Sequence, residues 1–123
     1  MHHKKTHTTA FAKGWSAELQ ARDYLAAKGY VPMAHRVKTE YGELDWVMMW
    51  EDRLVMVEVK HRSDLDKGLY AITLHAQKRW YQAASAYVSS CVDPSWHSVQ
   101  FDVVWVGKDH RIVHIPHVLS WEP

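Results

Sequence analysis

The sequence lacks the features that mark several large classes of protein. It contains a single cysteine, Cys91, which excludes an internal disulfide and a cysteine-cluster zinc site. No apolar run approaches the roughly 18 residues that a membrane-spanning helix needs. No signal-peptide pattern is visible at the start, and the five glycines form no glycine-rich phosphate loop. These absences predict a soluble protein of the reducing cytoplasm.

An excess of charge of one sign is also absent, because 15 Lys and Arg residues nearly balance 14 Asp and Glu residues. The net charge of +1 argues neither for nor against a nucleic-acid ligand. Lys4, Lys5 and Lys13, however, lie in a stretch without acidic residues. Such a stretch can contact phosphates non-specifically or can be an ordinary solvated terminus. We predict a flexible basic arm over residues 1–13 and a single domain over residues 14–123.

The most informative stretch is LVMVEVK at residues 54–60, an apolar run that ends in a carboxylate and an ammonium. Alternation along a strand predicts that Glu58 and Lys60 share a face with Leu54 and Met56, with three valines opposite. A strand that is apolar on both faces is buried, and buried charges are usually paired, metal-bound or catalytic. The alternative for an isolated E-x-K is a plain ion pair between neighbours.

The preceding apolar stretch predicts a hairpin with this strand. Residues 43–50 also read as a strand, and Glu51 and Asp52 form a polar pair suited to a tight turn. If Trp50 lies opposite Arg53, the residue numbers of cross-strand partners sum to 103.

This register sets two acidic side chains against each other. Asp45 would lie opposite Glu58, with the two Cβ atoms roughly 5 Å apart. Like charges at that spacing repel unless a proton or a cation lies between them. Mg²⁺ is commonly held by one or two carboxylates together with waters and phosphate oxygens. The hairpin therefore predicts one site made of Asp45, Glu58, the Val59 carbonyl and Lys60, with Glu43 nearby as a further candidate ligand.

A first helix is predicted over residues 15–28 from apolar residues at helical spacing. Glu18 stands three residues after Trp15 and seven before Leu25, so it lies on or beside the apolar stripe. The ordinary explanation is the margin of an amphipathic face, with an ion pair to Arg22. The acidic hairpin makes Glu18 a candidate for the site as well.

The remaining patterns predict an α/β domain. Strand patterns cover residues 30–38, 99–106 and 110–115, a helix pattern covers residues 69–90, and a polar loop and a tail cover residues 61–68 and 116–123. The proline in the first of these strands indicates a sheet edge. The order helix, three strands, helix, two strands predicts a central mixed β-sheet flanked by helices.

Outside the hairpin, a few charged residues are candidates for other roles. Arg62 and Lys67 in the polar loop and Lys78 in the second helix are candidates for phosphate contacts, although a charged loop is more often simply solvated. Asp102 is the only charge in its apolar strand, for which capping or ion pairing is the ordinary role.

Several short motifs recur in a specific order along the chain. They are Glu18 followed by Ala21, Tyr24, Leu25, Gly29 and Tyr30; Gly42-Glu43-Leu44-Asp45; Val57-Glu58-Val59-Lys60 with Arg62; Lys78; and Phe101-Asp102-Val103-Val104. With this order, the sequence resembles the PD-(D/E)xK, restriction-endonuclease-like superfamily. It resembles more closely the YraN-like family of small bacterial proteins within it, related to archaeal Holliday junction resolvases.

The resemblance implies a DNA endonuclease that hydrolyses phosphodiesters with Mg²⁺ or Mn²⁺ and acts on branched or otherwise structured DNA in repair or recombination. It implies Asp45 and Glu58 as metal ligands, Lys60 as the residue that positions the attacking water, and Glu18 reaching in from the first helix. Two positions depart from the family pattern, which usually has Gly where this chain has Ala17 and Arg where it has Gln100.

Two other classes of function stay open from the sequence. A nucleic-acid-binding module could keep the fold with little chemistry. An interaction domain could expose Trp46, Trp50, Trp96, Trp105 or Trp121, although tryptophans at strand spacing more often lie in a core. A homodimer would suit an enzyme that cuts both strands, but the sequence leaves the oligomeric state and the substrate structure open.

Overall fold

The computed structural model describes residues 10–62, 73–92 and 94–121, with side chains described from residue 14 to residue 119 within those ranges. The elements are α1 (Ala10–Ala27), β1 (Val31–Thr39), β2 (Gly42–Trp50), β3 (Arg53–Arg62), α2 (Leu74–Ser89), β4 (Ser98–Gly107) and β5 (Ile112–Trp121). This order confirms the predicted α/β fold, which is consistent with a restriction-endonuclease-like architecture. Neither described helix has the length and apolar content needed to cross a membrane.

The five strands form one mixed sheet in the order β1-β2-β3-β4-β5. Neighbouring strands are antiparallel except β3 and β4, which are parallel. Parallel neighbours need a long crossover, and α2 lies in the connection between these two strands. The proline-containing strand β1 lies at the edge, as predicted, where the missing N–H of Pro32 is tolerated.

The two faces of the sheet form two apolar clusters, one under each helix. Leu54 and Met56 of β3 pack in the cluster that contains Trp80, Ala83 and Ala84 of α2. The cluster on the opposite face, under α1, contains Ala17, Ala21, Leu25, Val55 and Val57. This confirms the alternation predicted for β3, since its even-numbered residues meet one helix and its valines meet the other.

The β2–β3 hairpin has the predicted register. Trp50 pairs with Arg53, and the five partner pairs continue to Trp46 and Val57, so that residue numbers sum to 103 throughout. The paired ladder ends there, one position before Asp45 and Glu58 would face each other.

The first helix begins earlier than predicted. Helix α1 starts at Ala10, so the predicted boundary between an arm and a domain at residue 13 falls inside the helix. The helix continues through Gly14, whose conformational cost of about 1 kcal/mol relative to alanine is small beside the packing of the following turns. Residues 1–9, which include Lys4 and Lys5, lie outside the described residues.

Two strands also run further than predicted. His61 and Arg62 continue β3 and pair with Val106 and Gly107, so the predicted loop over residues 61–68 starts too early. The predicted tail from residue 116 is wrong as far as Trp121, because these residues belong to β5. The misleading signal was a proline, which the strand accommodates at an irregularity in the β4–β5 pairing.

The predicted second helix is confirmed over the described residues. Helix α2 begins at Leu74, and the hydroxyl of Thr73 accepts the backbone N–H of Ala76 as an N-cap. Residues 63–72, which include the first part of the predicted helix and Lys67, lie outside the described residues.

Asp102 has the ordinary role that the sequence indicated. Its buried carboxylate accepts hydrogen bonds from Tyr30 Oη at 2.8 Å, Gln100 Nε2 at 2.8 Å, His114 Nε2 at 2.7 Å and the His117 backbone N–H at 3.0 Å. Burial alone would raise the pKa of Asp102, but these hydrogen bonds, that of His114 foremost, lower it below its ordinary value. Through Tyr30, the network ties the turn between α1 and β1 to β4 and β5.

We expect Asp102→Asn to lower the free energy of unfolding at pH 7 by about 2 kcal/mol, because it weakens hydrogen bonds to a buried charge. A lowered pKa stabilises the fold above the unfolded-state value of about 3.9, and this stabilisation is lost as the pH falls towards the folded-state pKa. The difference between wild type and variant should therefore shrink below about pH 4. Urea unfolding at pH 7 and pH 3 measures it, with the exposed Asp23→Asn as control. An equal difference at both pH values would contradict this account.

Candidate functional site

Asp45 lies where the β2–β3 hairpin opens. Its Oδ2 accepts the backbone N–H of Val59 at 2.8 Å, so a side chain of β2 takes a bond that a continuing ladder would give to a backbone carbonyl. Because the N–H and C=O of one strand residue point to the same side, the Val59 carbonyl also faces this opening. The predicted Asp45 and Val59 groups therefore meet at one end of the hairpin.

The opening coincides with a change of face in β1 and β2. The flanking pairs are His35 with Trp46 and Val37 with Leu44. Regular alternation would put these pairs on one face, but Trp46 packs under α1 and Leu44 under α2. Arg36, which lies between the β1 partners, has a positive φ of 52°. In β2, Asp45 lies between the two partners Leu44 and Trp46 in the same way. The change of face leaves its side chain free to turn towards β3.

Glu58 and Lys60 follow on the α2 side of β3 and form an ion pair, with Lys60 Nζ 2.9 Å from Glu58 Oε1. Both side chains are half-buried. They line a cavity of about 370 Å³ between α2 and the sheet, together with Glu43. The other lining residues are Tyr41, Gly42, Arg62, Thr73, Ala76, Arg79, Trp80, Ala83, Val103 and Trp105. Glu58 and Lys60 thus form the ion pair between neighbours that was one of the two alternatives from the sequence, and this ion pair lines a cavity.

Burial and the neighbouring acids strongly influence Asp45. Burial, and after it the charge of Glu58, raises the pKa of Asp45 to about 8. The charge of Glu18 adds to this effect, whereas the Val59 N–H and Lys60 oppose it. Without a cation between the carboxylates, a proton on Asp45 relieves the repulsion at neutral pH. A divalent ion would relieve it in the same way, so the donor chemistry fits one.

Glu18 is buried, and its carboxylate is already bound within the protein. Oε2 accepts Arg36 Nη2 at 2.6 Å, and Oε1 lies 3.0 Å from His35 Nε2 and accepts Arg36 Nε at 3.2 Å. The alternative pair with Arg22 is wrong, because Arg22 pairs with Asp23 instead. Glu18 therefore influences Asp45 through its charge while two basic side chains hold its oxygens.

Arg36 is a site residue that the sequence analysis missed. Its guanidinium lies 4.8 Å from the centre of the Trp15 ring, and its hydrogen bonds to Glu18 raise the pKa of Arg36. Glu43 and Asp45 add smaller electrostatic contributions of the same sign. From the sequence, a basic residue in a polar edge strand is expected to point into solvent. The positive φ that turns the Arg36 side chain inward could not be predicted from the neighbouring residues. Arg79, which lines the cavity, was missed for a similar reason, since it lies beside the apolar stripe of α2.

The predicted phosphate-binding residues are dispersed. Arg62 is exposed at the end of β3 and lines the cavity. Lys78 is exposed on α2 and is not part of the cavity lining. Lys4, Lys5 and Lys67 lie outside the described residues, as does the side chain of Lys13. Within the described ranges, no group of three or more His, Cys, Asp or Glu side chains is arranged to hold a metal ion.

The tryptophans considered for a docking surface lie mainly in or near the core. Trp46 and Trp105 are buried, and Trp50 and Trp96 are half-buried. The side chain of Trp121 lies outside the described ones.

Residues 17–106 match the family model described as uncharacterised protein family UPF0102. The chain belongs to the UPF0102 family. The resemblance to the YraN-like family is therefore confirmed, and the matched span contains Glu18, Asp45, Glu58 and Lys60.

Several curated UPF0102 proteins are similar to the chain over most of its length. One from Rhodopseudomonas palustris strain BisB5 is 38% identical over 93% of this chain and 87% of its own. One from Nitrobacter winogradskyi is 40% identical over 86% of this chain and 90% of its own. One from Bradyrhizobium diazoefficiens is 37% identical over 86% of this chain and 80% of its own. All three are named UPF0102 proteins, and these names state no activity.

For this UPF0102 chain we expect Asp45→Asn to raise the Tm in EDTA by about 3–5 °C, which corresponds to about 1 kcal/mol. Asparagine keeps an acceptor for the Val59 N–H but removes a carboxyl that burial and Glu58 disfavour in its charged form. Thermal unfolding followed by circular dichroism measures the effect. The exposed Asp23→Asn is the matched control and should leave the Tm nearly unchanged. A lower Tm for Asp45→Asn would show that the carboxylate stabilises the unliganded fold.

Proposed function

We propose that this chain is a metal-dependent phosphodiesterase that cleaves DNA. The observation that carries the proposal is the opened hairpin, at which the buried Asp45 carboxyl interacts electrostatically with Glu58 and Lys60, and these two residues line the cavity. Carboxylates at such a position cost stability in the unliganded protein. A plain structural role gives no reason for this cost.

The donor set suits Mg²⁺ or Mn²⁺. Asp45, Glu58 and the Val59 carbonyl would hold the ion, with the exposed Glu43 as a further candidate ligand, and all of these donors are hard oxygens. When bound, such an ion polarises a phosphate oxygen and lowers the pKa of a coordinated water. Because few protein groups hold it, we expect weak binding until a substrate phosphate adds its own oxygen.

Lys60 supplies the cationic part of the chemistry. Its ammonium, held 2.9 Å from Glu58 Oε1, lies at the cavity surface next to one of the proposed ligands. From there it would orient the attacking water and counter the negative charge that develops on the phosphorus. Glu58 thus fixes the ammonium as well as serving as a ligand.

Glu18 and Arg36 support the site from the α1 side. Arg36 binds both oxygens of Glu18, so this carboxylate stays in place and adds negative charge next to Asp45. Glu18 would favour a cation at Asp45 without leaving its own partners.

The substrate class rests on the family resemblance described above. We propose branched or otherwise structured DNA, in repair or recombination, as the substrate, with the protein acting in the cytoplasm. A two-fold homodimer would set two such sites against two strands.

A nucleic-acid-binding module with little activity is the second candidate. It is favoured by the lack, within the described ranges, of a three-residue His, Cys, Asp or Glu metal cluster. In that case the Glu58–Lys60 ion pair would form part of the surface that binds the nucleic acid, and its two opposite charges would cancel.

Cleavage of labelled four-way, flapped, single-stranded and duplex DNA tests the proposal. We expect wild type to cut at least one member with Mg²⁺ or Mn²⁺ and to cut none in EDTA. Glu58→Gln, which removes the ligand charge, and Lys60→Met, which removes the ammonium, should each reduce the rate by about a hundredfold or more. Glu51→Gln, in the exposed turn of the same hairpin, is the control and should cut normally.

Two results would count against the phosphodiesterase. If wild type binds these DNAs but cuts none with either metal, the binding module is the better account. If cleavage occurs and Glu58→Gln cuts at the wild-type rate, the reaction takes place elsewhere.

A further inference from the structure

We propose that the cavity between α2 and the sheet receives an unpaired nucleobase of the strand whose phosphate lies at Glu58 and Lys60. The inference rests on the proposed function, because it assumes that a nucleic-acid strand binds at this site. It adds the structural class of the substrate, because only single-stranded or locally unpaired nucleic acid can supply such a base.

The inner wall of the cavity is apolar. It includes Trp80 and Ala83 from α2 and Val103 and Trp105 from β4. The volume of about 370 Å³ lies within the range of about 300–1,000 Å³ that is usual for small-molecule pockets. The wall and the volume suit a flat heteroaromatic ring.

Two hydrogen-bond donors of this wall have no partner among the described residues. They are the indole N–H groups of Trp80 and Trp105, in side chains that are more than nine-tenths buried. Buried indole N–H groups are usually hydrogen-bonded, and orphaned donors call for an explanation. Nucleobases carry carbonyl oxygens and ring nitrogens around an otherwise apolar ring. Such a ligand would fill the apolar space. The two N–H groups have almost no accessible surface, so they would reach its acceptors after a small turn of the indole rings.

The polar part of the lining suits an anionic backbone. Lys60, Arg62 and Arg79 supply three cations against the acids Glu43 and Glu58. The Arg62 guanidinium lies 5.8 Å from the centre of the Trp105 ring, so a cation stands directly beside the apolar wall. A phosphate at these cations would have its own nucleoside within reach of the cavity.

The Arg79 side chain lies beside Gly42. A Cβ on Gly42 would lie 3.4 Å from Arg79 Cδ, and Gly42 has a φ of 137°, which disfavours any residue with a side chain. The Arg79 side chain therefore packs against the start of β2, beside the cavity.

A stacked and paired duplex would not place a base in this space. Bases in a duplex are stacked and paired, and proteins that enclose a base take it from a single strand or turn it out of the helix. The cavity is bounded by a helix on one side and by the sheet on the other. We therefore expect affinity for single strands and for the unpaired bases of branched DNA, with weaker binding of plain duplex.

The test measures binding of labelled oligothymidylate by fluorescence anisotropy, in EDTA so that nothing is cleaved. Ala76→Leu fills the cavity, whereas Ala86→Leu makes the same change at another half-buried position of α2, outside the lining. We expect Ala76→Leu to weaken binding about tenfold or more and Ala86→Leu to leave it unchanged. Thermal unfolding checks that both variants are folded.

Two further measurements separate the base from the phosphate backbone. Trp105→Phe keeps an aromatic ring but removes one donor and should weaken binding by about two- to tenfold. An abasic strand of equal length keeps the phosphates and loses the bases. Wild type should bind it as weakly as Ala76→Leu binds oligothymidylate.

The inference is overturned if Ala76→Leu binds oligothymidylate as tightly as wild type, or if wild type binds the abasic strand or a matched duplex equally well. These outcomes are independent of cleavage. A wild type that binds bases in the cavity but cuts no DNA refutes the phosphodiesterase and leaves this inference standing. A wild type that cuts DNA while Ala76→Leu binds normally refutes the cavity proposal alone.

Discussion

The proposed site depends on one hydrogen bond, from the Val59 N–H to the Asp45 carboxylate. It takes the place of a backbone ladder bond at the point where β2 and β3 separate. Because a side chain makes this bond, the hairpin can open without leaving a buried N–H unpaired. The same bond fixes one oxygen of Asp45 close to Glu58, which makes their electrostatic coupling a consequence of the fold.

The acidic charge at this opening is balanced from both faces of the sheet. On the α1 side Arg36 holds Glu18, and on the α2 side Lys60 holds Glu58. Asp45 interacts electrostatically with the acids of both pairs, and among the described residues the Val59 N–H donates to it. Each flanking acid thus has a basic partner but still raises the pKa of Asp45, so the central carboxyl is left to take up a proton or, at a cation-binding site, a metal ion.

Asp102 shows what a structural aspartate looks like in the same sheet. Four donors surround it, and together they lower its pKa despite complete burial. Burial and, after it, the charge of Glu58 raise the pKa of Asp45, and the Val59 N–H opposes them only in part. The two residues have the same chemistry, and the hydrogen-bond donors and charges around each decide whether its carboxylate stabilises the fold or takes up a proton in the absence of a cation. Gln100, one of the two departures from the family pattern, has a structural role in this network. Its side chain donates a hydrogen bond to Asp102 and accepts one from Arg53.

Local sequence patterns were enough to predict the order of elements, the edge position of β1, the faces of β3 and the hairpin register. These follow from local alternation and turn chemistry, which act over a few residues. The patterns did not reveal the extension of β5 beyond Pro116, because a proline usually ends a strand and is accommodated here at a sheet edge, beside an irregularity in the β4–β5 pairing. The partners of Glu18, the inward turn of Arg36 and the cavity that joins Trp80 to Trp105 were decided by the tertiary structure alone. Each of these brings together side chains from separate elements, and their contacts depend on packing and on a positive φ that no local pattern encodes.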